Sequence, residues 1–155
     1  NFYSVADHAL DCAAEAKERC MGSYMIMLCL LHDAAEAYIS DIPRPVKRDL
    51  NGIYDIEERL ADLIYIKFAG RKPTKNEFDK MREIDDVRRP QFGMYTGRTP
   101  YPGLEPSKDQ DHRLEKTLGR MAFPQEESEK EFLKVFSDTY RLLMSDNENR
   151  RKLNV

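Results

Sequence analysis

Apolar residues recur along this chain at intervals of three and four, and almost nowhere alternate with polar ones, so the pattern predicts helices and an all-α fold. The first helix is expected over residues 5 to 20. Ser4 followed by Asp7 reads as an N-cap with an acidic first turn, and Val5, His8, Cys12 and Glu15 or Ala16 share a face. The second, residues 23 to 39, opens with the most apolar run of the sequence, Tyr24 to Leu31, and reads as a central helix buried on most sides. Pro43 and Pro45 stop it. A third is expected from 53 to 68, with Ile56, Leu60, Leu63, Ile64 and Phe68 inward and Gly70 as terminator. Thr74 and Glu77 form a capping box for a fourth, on which Phe78, Met81, Asp85 and Arg88 repeat inward while Asp86 turns away. Glycines and prolines from 92 to 108 predict a long loop, and 111 to 121 a short helix. A last helix is expected from 126 to 144, with Phe132, Leu133, Phe136, Tyr140 and Leu143 inward, and from Asn147 the polar tail is expected to fray.

With 155 residues, 41% of them hydrophobic, the chain can bury a core as one domain, taken as residues 1 to 146 plus the tail 147 to 155. A net charge of −3 gives no overall attraction to nucleic-acid polymers or anionic membranes. The longest apolar stretch is far short of a bilayer span, so the expectation is a cytoplasmic protein. An odd count of three cysteines, all within helical patterns, argues for reduced thiols rather than a disulfide scaffold. A homodimer is an expectation from size and helical class.

The chemistry concentrates where the apolar run ends, in the adjacent imidazole and carboxylate of His32 and Asp33. Burying both groups removes their hydration, and a divalent cation can satisfy the two together. His8 on the first helix and Asp85 on the fourth complete a set of two imidazoles and two carboxylates. Such a set leaves coordination positions open for water and a phosphate oxygen. Asp85 has an alternative partner in Arg88 or Arg89. A rival set, His8, Cys12, Cys29 and His32, would suit zinc but lacks the short loops of structural zinc sites. His112, in a polar run, reads as a surface residue.

The order His8, His32-Asp33, Asp85 resembles the H...HD...D signature of HD-domain metal-dependent phosphohydrolases. Tyr3-Ser4-Val5 ahead of His8, and the stretch from His32 to Lys47 that reads HDxxEAYxxDIPxPxK, are similar to a bacterial and prophage branch acting on deoxynucleotides or other small phosphate esters. The resemblance implies a helical bundle with a metal site in its core. It also implies one divalent ion (manganese, cobalt, nickel, iron, zinc or magnesium) on His8, His32, Asp33 and Asp85, activating a water that cleaves a phosphate monoester, and a small-molecule nucleotide as partner. Glu36 and Asp41 would then lie near the reacting phosphate as acid, base or water-positioning groups. Glu36 follows His32 by one turn, where it can orient a metal water or an imidazole. Lys47 and Arg44, with Arg48 behind them, offer cations for the phosphate. Two features depart from the branch: almost nothing precedes Phe2, where the branch carries a phosphate-holding arginine, and the stretch after Asp85 has Pro90 and lacks a later glutamate. These departures keep open a second class of function, a nucleotide-sensing or protein-interaction module with weak catalysis.

Overall fold

A computed structural model describes residues 3–95 and 124–153, apart from the side chains of Arg44, residues 89–95 and Leu153. The helix expected over 111 to 121, most of the 92 to 108 loop and His112 lie outside the described residues. Among those described the fold is all-α: α1 Val5–Glu18, α2 Ser23–Leu31, α3 Glu36–Ile39, α4 Arg44–Asp49, α5 Ile53–Ala69, α6 Lys75–Tyr95 and α7 Gln125–Leu153. None of these helices is long and apolar enough to cross a membrane.

Local sequence fixes the ends of α1, α5 and α6. The Ser4 hydroxyl accepts from the Asp7 backbone N–H at 3.1 Å, while the Ser4 backbone N–H donates to the Asp7 carboxylate at 2.9 Å. This reciprocal cap satisfies two orphan donors at once. Thr74 and Glu77 repeat it at the start of α6. Gly70 ends α5 at φ 84, a left-handed conformation in which a side chain would be strained.

Helix α2 is the axle of the bundle. Met27, Leu28, Cys29, Leu30 and Leu31 are all buried, and α1, α5, α6 and α7 pack around them. The helix expected to run from 23 to 39 does not continue unbroken. From Leu31 the backbone tightens into i to i+3 bonds, Ala34 N–H to Leu31 O and Glu36 N–H to Asp33 O, both 3.0 Å, before α3 resumes. The break falls on the His-Asp pair.

Helical phase also differs from expectation in places. On α5, Leu60, Ile64 and Phe68 face the core as expected, joined by Tyr65 and Ala69, but Ile56 and Leu63 are exposed. A helix apolar on several sides has no single stripe for periodicity to select. On α7, Leu143 is buried and Phe132 and Phe136 pack on the core, whereas Leu133 and Tyr140 are exposed and the small polar Ser128 and Thr139 take buried positions. Val5 on α1 and Phe78 on α6 are likewise exposed. The polar tail does not fray at Asn147: α7 continues to Leu153, aided by Arg150, Arg151 and Lys152 in its last turn, where cations complement the helix dipole. The Ser23 hydroxyl at the start of α2 donates to Asp146 at 2.6 Å and secures this end.

The inner face of α1 is polar to an unusual degree, with Asp7, His8, Asp11 and Glu15 all buried. Each is anchored, His8 by Asp85 of α6 at 3.1 Å. Ser128 of α7 donates to Asp7 at 2.6 Å, the Tyr3 hydroxyl donates to Asp11 at 2.5 Å, and Arg88 of α6 donates to Glu15 at 2.6 Å. Burial alone would raise the Glu15 carboxyl, but Arg19 and Arg88 override it and hold it below its ordinary value. Breaking a buried pair strands the remaining charge. Glu15→Gln is therefore expected to lower unfolding stability by about 3 kcal/mol in urea titration. Lys75→Ala, which removes an exposed ion pair with Asp79, is expected to leave the midpoint unchanged.

Candidate metal centre

Three helical segments deliver their polar side chains to one point beside the C-terminal end of α2. His8 comes from the second turn of α1, His32 and Asp33 from the tightened turn after α2, and Asp85 from the middle of α6. His8 Nε2 lies 3.1 Å from Asp85 Oδ1 and 4.0 Å from Asp33 Oδ2. His32 Nε2 lies 3.0 Å from Asp33 Oδ2 and 3.9 Å from Asp85 Oδ1. The two imidazole rings meet edge to face, centroids 5.1 Å apart. All four residues singled out from the sequence as ligands thus converge. Arg88, one of the two alternative partners for Asp85, is bonded to Glu15, and the side chain of the other, Arg89, lies outside the described residues.

Hydrogen bonding orients the key ring. His32 Nδ1–H donates to the Cys29 carbonyl at 2.8 Å, which turns Nε2 toward the carboxylates. That Nε2 is buried and, although within ion-pair distance of Asp33, makes no hydrogen bond. Burial favours a neutral His32, yet the Asp33 carboxylate beside it overrides burial and raises its proton affinity. Burial likewise opposes the Asp33 charge, and His32 overrides it and lowers that carboxyl. Both directions express one demand: the carboxylates require a cation, which a proton on an imidazole or a divalent ion can supply.

The four imidazole–carboxylate separations are compatible with such an ion. Ligands about 2.1 Å from a metal stand about 3.0 Å apart when adjacent and about 4.2 Å apart when opposed in an octahedron. The observed separations of 3.0, 3.1, 3.9 and 4.0 Å match both classes. Among the described residues, His8, Cys12 and His32 also form a group that can hold a metal, their donor atoms all within 4.8 Å of one another. Cys12 had entered only through the rival thiol set; its Sγ is 3.7 Å from His8 Nε2. The Cys29 thiol is part of the fully buried core, and burial pushes it up to about 12.

Beyond the four ligands, Glu36 opens α3 half-buried, and its carboxyl is pushed up to about 7, first by burial and then by the charges of Asp33 and Asp41. The exposed Asp41 is thus within electrostatic reach of the cluster. Ser40, at φ 64 and ψ 162, turns the chain between them in a region otherwise left to glycine. Lys47 lowers the Glu36 carboxyl from the other side, but its ammonium is ion-paired with Glu57 of α5. Arg48 is exposed, and the Arg44 side chain lies outside the described residues. The Lys47–Glu57 pair was not legible from the sequence, because Glu57 is one of two half-buried acids on α5 and the other, Asp62, pairs with Lys72.

No family model matches the chain. It is similar to a protein of Escherichia coli K12 described as uncharacterized protein YfdR, with 38% identity over 69 residues. That stretch is 44% of this chain and 36% of the relative, so the chain spans little more than a third of that protein's length.

The raised Glu36 carboxyl sets a pH dependence. A folded-state value above the ordinary 4.5 means that the folded protein binds more protons between 4.5 and about 7, so stability falls as pH rises through that window. In metal-free protein, Glu36→Gln is expected to unfold at a higher temperature than the parent, the gain growing from pH 4.5 to about 7 and level above it in scanning calorimetry.

Proposed function

We propose that this protein is a cytoplasmic metal-dependent phosphohydrolase that cleaves a phosphate monoester, with a nucleotide, a deoxynucleotide foremost, as substrate. The observation that carries the reading is the meeting of His8, His32, Asp33 and Asp85 around an imidazole nitrogen with no hydrogen bond. A divalent ion held by those four side chains would supply Lewis acidity toward a water and a phosphoryl oxygen. Glu36, with its carboxyl near neutrality, can take the proton of the attacking water at physiological pH. As the water oxygen bonds to phosphorus the ester P–O bond breaks, and the leaving oxygen needs a proton. Asp41 shares that proton traffic with Glu36 across the Ser40 turn. Lys47 and, by its place in the sequence, Arg44 draw the phosphate toward the centre. The H...HD...D resemblance supports the same chemistry and the choice of a nucleotide.

One observation favours a second reading, nucleotide binding without turnover. The Lys47 ammonium is committed to Glu57, which reduces what it can offer a phosphate. Protein loaded in turn with manganese, cobalt, nickel, iron, zinc or magnesium is expected to release phosphate from a panel of deoxynucleoside monophosphates. Asp33→Ala is expected to lose metal and activity together. Glu36→Gln should retain metal while kcat falls by about 100-fold. Saturable nucleotide binding with no release from any combination would establish the second reading instead.

A further inference from the structure

The geometry points to Cys12 as a fifth donor to the same centre, which makes it a site for a borderline or soft ion such as zinc, cobalt or ferrous iron rather than magnesium. The inference rests on the proposed metal site and names the ion class that the site selects. Cys12 follows His8 by one turn of α1 and is 1% exposed, so its sulfur points along the same inward face. A thiolate about 2.3 Å from an ion and an imidazole nitrogen about 2.1 Å from it stand about 3.1 Å apart at a right angle and about 3.6 Å apart at a tetrahedral one. The observed 3.7 Å between Cys12 Sγ and His8 Nε2 is slightly longer than the tetrahedral separation, so a small rotation of the thiol brings both onto one ion.

The second observation is independent of the cysteine. The His32 side chain is 4% exposed and its buried Nε2 makes no hydrogen bond, while one ring nitrogen of each histidine and the Cys12 sulfur lie within 4.8 Å of one another. An ion that takes up this nitrogen is therefore also within reach of the sulfur. On binding, the Cys12 S–H bond breaks, a sulfur–metal bond forms and the proton leaves to buffer, with no change of oxidation state. Oxygen ligands alone suit hard ions, whereas a sulfur donor shifts preference toward zinc, cobalt and iron. Cys29 does not share this role. It contributes its backbone carbonyl to His32 and its thiol to the hydrophobic core.

Cobalt reports sulfur ligation directly. The whole protein titrated with cobalt is expected to bind one ion per chain and develop a thiolate-to-cobalt charge-transfer band in the near ultraviolet. Cys12→Ser should lose the band, keep the bound cobalt and bind zinc at least about tenfold more weakly relative to magnesium. Cys29→Ser should keep the band. Should Cys12→Ser fail to fold, zinc X-ray absorption on the unaltered protein reads the same ligand, as a sulfur shell at about 2.3 Å. One metal per chain with neither band nor sulfur shell overturns the role of Cys12 and leaves the histidine–aspartate centre standing. No metal bound at all overturns both.

Discussion

Two imidazoles and two carboxylates, Asp33 the most exposed of them, meet where the apolar α2 ends, and the remainder of the structure answers to that concentration of charge. In water, Asp33 and Asp85 would be hydrated separately and indifferent to each other. Held within about 4 Å of the same two rings, they create a local potential that only positive charge relieves. The directions in which His32 and Asp33 are displaced from their ordinary proton affinities both express that potential, which also adds to the burial that raises Glu36 beside them.

Keeping such a cluster in register takes braces that do not touch it. Helix α1 supplies His8 and is pinned to α7 through Asp7 and Ser128, and to α6 through Glu15 and Arg88. Arg88 stands three residues after Asp85 on α6, so the ion pair and the candidate ligand are neighbours on one helix face. Polar braces inside a core contribute little net stability against apolar packing of the same volume, but they penalise any other register heavily. The α1–α6 contact therefore has one favourable alignment, in which His8 and Asp85 face each other.

What the sequence made legible follows the range of the interaction. Capping boxes at Ser4-Asp7 and Thr74-Glu77 are local, and both form. Asp85 rather than Asp86 faces inward because helical spacing is rigid over a few turns. The break after Leu31 was not visible, since residues 32 to 39 have no glycine or proline to announce it and the i to i+3 bonds arise only with the tertiary packing. Nor was the phase of α5, where Ile56 and Leu63 sit outward on a helix with more apolar residues than one face can hide. The buried acids Asp7, Asp11 and Glu15 look like a solvated face until their partners, up to 121 residues away, are brought alongside. The meeting point of the four side chains was readable because an adjacent imidazole and carboxylate at the end of an apolar run need partners from other helices. Its surroundings were not, because Lys47 could not be seen to meet Glu57.

Asp85 and His8 are separated by 77 residues, and that distance along the chain has a temporal meaning. During synthesis His8 and the His32-Asp33 pair emerge long before Asp85, and the α7 hydroxyl that steadies α1 emerges later still. A nascent chain accordingly cannot bring the four side chains together before α6 has been made. The Asp7–Ser128 brace closes only once α7 has followed, so the cluster is assembled early but steadied last.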